Sequence, residues 1–223
     1  RAGPGLGNIA PGQGDYNQII KGGGHGNYKV VCLAPNSAQE MCDLTILAFD
    51  LADKYRIPAV LLADGFIGQM EEPVEFPPAR TSLPDKPWAI HSDADDEKRL
   101  ITSINLEPEL LEKHNLHLQE KYAEITRNEI RFEDYQTADA ELVIIAYGVV
   151  SCIVQTTIDD MRAAGRKVGM MRPISLWPFP SAHIVELGDQ VKQFLVVELS
   201  DGQMVDDVRL ALHGKRPVHL HNR

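Results

Sequence analysis

Residues Tyr28–Gly68 read YKVVCLAPNSAQEMCDLTILAFDLADKYRIPAVLLADGFIG, and the order of apolar and polar residues in this stretch decides the fold. Val30–Ala34 is apolar without alternation, the mark of a strand buried on both faces. Pro35 ends it. Ser37 to Glu40 (SAQE) is a capping box, in which the Ser hydroxyl and the Glu carboxylate satisfy the first free N–H groups of a helix. Leu44, Leu47, Ala48, Leu51, Ala52 and Tyr55 then recur at helical spacing and form one apolar stripe. Pro58 closes the turn, and Ala59–Ala63 is a second buried run that stops at Asp64, Gly65 and Phe66. Strand, capped helix and strand make a βαβ unit. Ligands of open α/β sheets bind beyond the carboxyl ends of the strands. That rule puts Ala34-Pro35-Asn36 and Asp64-Gly65-Phe66 on the functional edge.

Upstream of this unit, Arg1–Asn27 is rich in glycine and shows little periodicity. It carries no GxxxxGK[ST] pattern, and a GxGxxG fingerprint needs a preceding strand that is not visible here. It reads as a loop that needs positive φ at several points and lets its backbone approach a ligand closely. Asp15–Lys21 is expected as a short helix with Tyr16, Ile19 and Ile20 inward, stopped by Gly22–Gly24. His25 stands between glycines. A solitary histidine is more often structural than catalytic, but its open surroundings make it a candidate.

Downstream, Glu71–Trp88 contains five prolines. It reads as an ordered wrap or a linker, since proline bars both helix and central strand. Asp93–Lys98 is a solvated charge run. Glu109–Phe132 is expected to be helical, with Leu111, Leu118, Tyr122 and Ile125 as its stripe. His114 and His117 lie one turn apart, but no acid stands at zinc-site spacing, so they are assigned to surface or packing.

A second alternating unit follows. Glu141–Tyr147 is a buried strand, Gly148 a turn, and Ser151–Ala164 a helix with Val154, Ile158 and Met161 inward. Val168–Ile174 is a strand, Ser181–Leu187 a short helix, Phe194–Leu199 a strand, Gln203–Leu212 a helix, and Val218–His221 a last strand. This alternation predicts a parallel sheet with helices on both faces. Loops at Gly148, Leu176-Trp177 and Ser200–Gly202 are expected at its carboxyl edge, and none has a phosphate fingerprint. The expected architecture is α/β in two domains, with the boundary inside Glu71–Ala138. The division is 1–92, a connecting helical segment 93–137, and 138–223.

The net charge of −10, with Lys and Arg dispersed among acids, argues against a nucleic-acid partner. Cys32, Cys42 and Cys152 show no CxxC spacing. Neither a disulfide framework nor a closed metal site is indicated, and buried thiols in a reducing cytoplasm are expected. The longest apolar run, Leu142–Val150, falls short of the ~20 residues of a membrane span, so no membrane association is expected. The chain opens on Arg1 inside a glycine-rich loop and is expected to be a piece of a longer subunit.

Several motifs in order carry a family resemblance. They are RAGPGLGN from Arg1, KGGGHGNYK from Lys21, LAPNSAQEM from Leu33 and LLADGFIGQMEEPVEF from Leu61, followed by AYGVVS, RPISLWPFP and VVELSDGQM in the second half. Together they resemble the alpha subunit of the 2-oxoacid:ferredoxin oxidoreductases, nearest the type that acts on 3-methyl-2-oxobutanoate. The resemblance implies the end of a thiamine-diphosphate pyrimidine-binding domain followed by a transketolase C-terminal-like domain. It also implies oxidative decarboxylation of a 2-oxoacid, with coenzyme A as co-substrate and ferredoxin as acceptor. Thiamine diphosphate and Mg²⁺ would be shared with a beta subunit, and iron–sulfur clusters would sit on other subunits. Arg1 matches the arginine that grips the substrate carboxylate, a task suited to a forked guanidinium. Gly3, Pro4, Gly5, His25, Asp64, Gly65 and Phe66 are the residues expected beside substrate or cofactor, and no metal ligand is assigned. The family's glutamate that activates the aminopyrimidine is expected upstream of Arg1, so this piece alone should be inactive. A 2-oxoglutarate enzyme is the runner-up. Two further readings are a non-catalytic structural subunit and a thiamine enzyme without ferredoxin, although the latter should not carry RAGPGLGN together with KGGGHGNY.

Overall fold

The computed structural model describes residues 10–79, 81–82, 86–89 and 101–222. The decisive stretch folds as strand, helix, strand: β1 (Val31–Leu33), α2 (Ala38–Tyr55) and β2 (Ala59–Leu61), preceded by the short α1 (Tyr16–Ile20). Ser37 Oγ accepts the Glu40 N–H at 3.1 Å, and a Glu40 carboxylate oxygen accepts the Asn36 N–H at 2.9 Å. The capping box therefore forms with its glutamate reaching one residue further back than the usual pattern. Leu44, Ala48, Leu51 and Tyr55 are the buried stripe of α2. The chain leaves the helix through Arg56, whose φ of 48° is left-handed.

β1 and β2 pair in parallel, Cys32 opposite Val60. Both are shorter than expected, and β2 is half-buried because it lies at one edge of the sheet order β2-β1-β6. The third member, β6 (Ser175–Trp177), comes from the second half of the chain and runs antiparallel to β1. Leu176 and Trp177 are therefore strand residues, a correction to their assignment as a loop of the second sheet. A three-residue strand between prolines gives no pattern of its own. Its pairing with β1 is a tertiary event.

α3 (Pro108–Asn128) starts on a proline at its first turn and stops four residues before the expected Phe132. Phe132 instead opens β3 (Phe132–Tyr135), which runs antiparallel to β5 and was not expected. FEDY is a charged, mostly exposed edge strand, and edges of this kind carry charges that discourage further pairing. On α3 only Ile125 is buried. Tyr122 packs edge-on to Trp177 at 5.7 Å, and Leu111 is 41% exposed.

The second sheet has the order β3-β5-β4-β7-β8, from β4 (Leu142–Ile145), β5 (Val168–Pro173), β7 (Gln193–Glu198) and β8 (Val218–Asn222). All its pairs but β3–β5 are parallel. Alternation along β4 sorts its two faces. Ile144 and the following Ala146 pack on α4 (Val149–Ala163) through Val150, Val154 and Ile158. Val143 and Ile145 face α5 (Ser181–Gln190) and α6 (Met204–Leu212) through Ile184, Leu187, Met204 and Val208. Helices thus cover both faces. Cys32 and Ala34 of the first unit belong to that second core, while Val31 and Leu33 face α2 and Ile125.

The described part of the proline-rich stretch is an ordered wrap over α2. The Gln39 amide accepts the Glu75 N–H at 2.8 Å and donates to the Glu75 carbonyl at 3.0 Å, and Glu72 accepts the Ala38 N–H at 2.9 Å. Asp93–Lys98 lies outside the described residues.

Candidate functional site

Residues just beyond β1 and β2 meet the amino end of α4, just beyond β4, and side chains from both halves close the seam. Asp64, just beyond β2, is 6% exposed. One of its oxygens accepts the N–H groups of Phe66 at 2.9 Å and Ile67 at 3.1 Å, which turns the loop into a 3₁₀ turn at Ile67–Gln69. Its other oxygen accepts the Val149 N–H at 3.1 Å, at the first residue of α4. Beyond β1, the Asn36 side chain donates to Ser151 Oγ at 3.4 Å, and the Asn36 carbonyl accepts from Cys152 Sγ at 3.3 Å.

Arg172 of β5, 3% exposed, reaches across to α2. It grips both oxygens of Glu40 at 2.8 and 2.7 Å and donates through Nε to Glu133 of β3 at 2.9 Å. Burial disfavours its charge, but Glu40 and Glu133 outweigh burial and hold the guanidinium above its ordinary pKa.

The glycine-rich segment is fixed to the second half through amides. Gln13 is 5% exposed, donates to the Tyr147 carbonyl at 3.0 Å and accepts the Leu199 N–H at 2.9 Å. Gln203 accepts the Asn17 N–H at 2.7 Å and donates to the Gly14 carbonyl at 2.8 Å. Tyr16 Oη donates to Asp207 at 2.7 Å, and Lys21 pairs with the same carboxylate. Burial, with Asp207 adding to it, pushes the Tyr16 phenol well above its usual range.

The sequence-assigned site residues are only partly brought together. Arg1, Gly3, Pro4 and Gly5 lie outside the described residues. Asp64, Gly65 and Phe66 form one loop: Asp64 is buried and engaged by three N–H donors, whereas Gly65 is exposed and Phe66 is 54% exposed. His25 is exposed between Gly24 and Gly26, both at positive φ. No hydrogen bond among the described residues joins its imidazole to the Asp64 loop. The glycine-rich segment and the Asp64 loop do meet. A Cβ placed on Gly148 would stand 3.1 Å from an Asp64 oxygen and 3.2 Å from Gln13 Nε2. Gly148 has φ 59°, and that close approach requires glycine there.

Sequence reasoning missed Gln13, Arg172 and Glu198 as members of this edge. A lone charge inside the otherwise apolar β5 was a usable signal for Arg172. Glu198, 1% exposed, accepts from Ser200 Oγ at 2.7 Å and from the Met204 N–H at 3.0 Å, so it caps α6. Asp64, Glu40 and Glu198 are thus all held by donors of the chain. The Phe66 ring on this edge is 54% exposed. Cys32 is buried, which pushes its thiol up to about 12, but Cys42 is half-buried and Cys152 exposed, contrary to the expectation of buried thiols.

A cavity of about 1140 Å³ lies at the other end of α2, lined by Lys54, Arg56, Trp88, His114, His117 and Lys121 among others. It is remote from the seam. Among the described residues, no group of three His, Cys, Asp or Glu is placed to hold a metal, and no helix is long and apolar enough to cross a membrane.

Comparison with known proteins places this geometry. Residues 1–141 match the family model for pyruvate flavodoxin/ferredoxin oxidoreductase, thiamine diphosphate-binding, and residues 140–223 match pyruvate:ferredoxin oxidoreductase core domain II. The chain is 54% identical to the ketoisovalerate oxidoreductase subunit VorB of Methanothermobacter marburgensis, over all of this chain and 63% of that protein. It is 31% identical to the 2-oxoglutarate synthase subunit KorA of Methanocaldococcus jannaschii, over 93% of this chain and 63% of that one. The chain therefore spans under two thirds of the length of these curated relatives. The 2-oxoglutarate:ferredoxin oxidoreductase of Magnetococcus marinus superposes with a TM-score of 0.79 over the whole chain and 44% of its own, at 21% identity, a likeness of fold.

Proposed function

This chain belongs to the pyruvate flavodoxin/ferredoxin oxidoreductase family, and we propose that it is part of the alpha subunit of an enzyme that oxidatively decarboxylates a branched-chain 2-oxoacid. The substrate is 3-methyl-2-oxobutanoate, the product its coenzyme A ester, and the electron acceptor ferredoxin. The observation that carries the choice of substrate is the 54% identity to the ketoisovalerate subunit, against 31% to the 2-oxoglutarate one. The enzyme works in the cytoplasm, with a beta subunit and cluster-bearing subunits as partners. The division into 1–92, 93–137 and 138–223 is kept as part of this proposal.

Thiamine diphosphate, when bound, supplies the carbanion chemistry of such a reaction. The described residues offer it orientation rather than a cradle. Asp64 already accepts three N–H groups, and no group of three His, Cys, Asp or Glu among the described residues is placed to hold Mg²⁺ for the diphosphate. Gly65 and Phe66, with Gly3, Pro4, Gly5 and His25, form this chain's contribution to a site completed by the beta subunit. Arg1 binds the substrate carboxylate.

Three measurements test this. The full-length subunit assembled with its partners should turn over 3-methyl-2-oxobutanoate with coenzyme A and ferredoxin faster than 2-oxoglutarate; the opposite order overturns the substrate assignment. Calorimetry should show very weak thiamine diphosphate binding to this chain alone and restored binding, with magnesium, once the beta subunit is added. Micromolar binding by the isolated chain would show that the site is not shared. In the assembled complex, Arg1→Ala should raise KM for the 2-oxoacid and lower turnover, a loss of about 1–3 kcal/mol for a charged partner in a partly buried site. Arg1→Lys should recover only part of it, because an ammonium has no fork. Unchanged kinetics in the alanine variant would remove Arg1 from the site.

A further inference from the structure

The second sheet has the layout that binds ligands in many α/β proteins. Its strand order sends the connection after β4 to β5 on one side and the connection after β7 to β8 on the other, so the two leave in opposite directions. The crevice beyond the carboxyl ends of β4 and β7 is the usual ligand position in such sheets. Here α4 points its amino end there, where unpaired N–H groups and the helix dipole favour an anion. Gly148, with its positive φ, makes the tight turn that lets a group come close.

That position is filled from within. The Asp64 carboxylate accepts the Val149 N–H at 3.1 Å, where an anionic ligand would sit. The Gln13 side chain lies beside it and bridges the ends of the two strands, donating to the Tyr147 carbonyl and accepting the Leu199 N–H, while its own backbone N–H donates to the Leu199 carbonyl at 2.9 Å. Both side chains are at least nine-tenths buried and come from the first unit, so neither is a local cap.

We propose that the ligand position of the second α/β unit is a socket whose occupant is the first half of the same chain, with the Asp64 carboxylate in the place of an anion and the Gln13 amide beside it. The second unit then serves as a binding module turned on its own chain. Its function is to set the position of the Asp64–Gln69 loop, whose Phe66 faces outward. This inference stands on the geometry and does not depend on which 2-oxoacid is the substrate.

The test is rescue by a small carboxylate, carried out on the full-length subunit in its complex. Asp64→Ala removes the carboxylate and leaves a space the size of formate. The variant should melt well below the native protein. Formate at about 100 mM should return at least half of the lost melting temperature, while sodium chloride of equal ionic strength should not. Native protein should gain no more from formate than from chloride. A formate effect equal in native and variant proteins, or none in the variant, overturns the proposal. If Asp64→Ala does not assemble, Asp64→Asn gives a second reading by hydrogen exchange. Amides in the first turn of α4 should exchange at least tenfold faster, while those of α6, capped by Glu198, stay unchanged. Equal exchange in the first turn of α4 overturns the proposal.

Discussion

Arg172→Met should be among the most damaging single substitutions in this chain, lowering stability by about 3 kcal/mol and the melting temperature by roughly 6–12 °C. The cost comes from what is left behind. Glu40 and Glu133 would lose their cation, and Glu40 would remain beside the Asn36 N–H as a poorly compensated carboxylate. The figure sits at the low end for a broken buried pair because the two acids keep access to water, with side-chain exposures of 26% and 49%. Urea titration checks the value. Removing Glu40 together with Arg172 should recover much of the loss, since replacing both members with apolar groups is far milder than orphaning one. A double variant as unstable as the sum of the two singles would show that the pair is not the cause.

Glu129→Ala should cost a similar amount, about 3 kcal/mol, by stripping Tyr55 Oη, Lys54 and Arg131 of a shared acceptor. Glu129 is 5% exposed and receives Tyr55 Oη at 2.6 Å, Lys54 at 2.8 Å and Arg131 at 3.0 Å. It thereby ties the end of α2 to the segment between α3 and β3. Burial alone would raise its pKa, but the bonds from Lys54, Tyr55 and Arg131 prevail and hold it below its ordinary 4.5. A carboxyl whose folded pKa is depressed adds stability above its unfolded pKa and loses it as pH falls through the folded value. The melting-temperature gap between native protein and Glu129→Gln should therefore be constant from neutral pH down to about 4.5 and narrow below it. A gap unchanged down to pH 3 would refute the assignment.

The parts of the fold that were legible in the sequence are those with a period or a cap of their own. Ser37 and Glu40 announced α2, and the apolar runs Glu141–Tyr147 and Phe194–Leu199 announced strands. β3 and β6 were not legible because each is made by its partner. FEDY has the composition of a surface turn until β5 lies beside it, and Ser175–Trp177 is too short to show alternation. Asp64 was placed correctly on the carboxyl edge, but its partner Val149 lies far along the chain, so its engagement by N–H donors was hidden. Gln13 gave no warning at all. A glutamine between glycines looks solvated until two strand ends, at Tyr147 and Leu199, are known to flank it.

β6 also bears on how the protein is made. The hydrogen bonds that satisfy one side of β1 come from residues synthesised much later, across more than half the chain. Until the ribosome has delivered Trp177, β1 lacks its β6 partner, and of the described strands only β2 lies beside it, which leaves an edge open to pairing. Contacts this distant in sequence close slowly, because the entropy of the intervening loop is lost before the pairing returns it. A nascent chain cut between the two units, near residue 140 where the two family models meet, would carry the β1 edge bare. The two halves are thus coupled in assembly as well as in space, since the second half supplies the strand that closes the β1 edge.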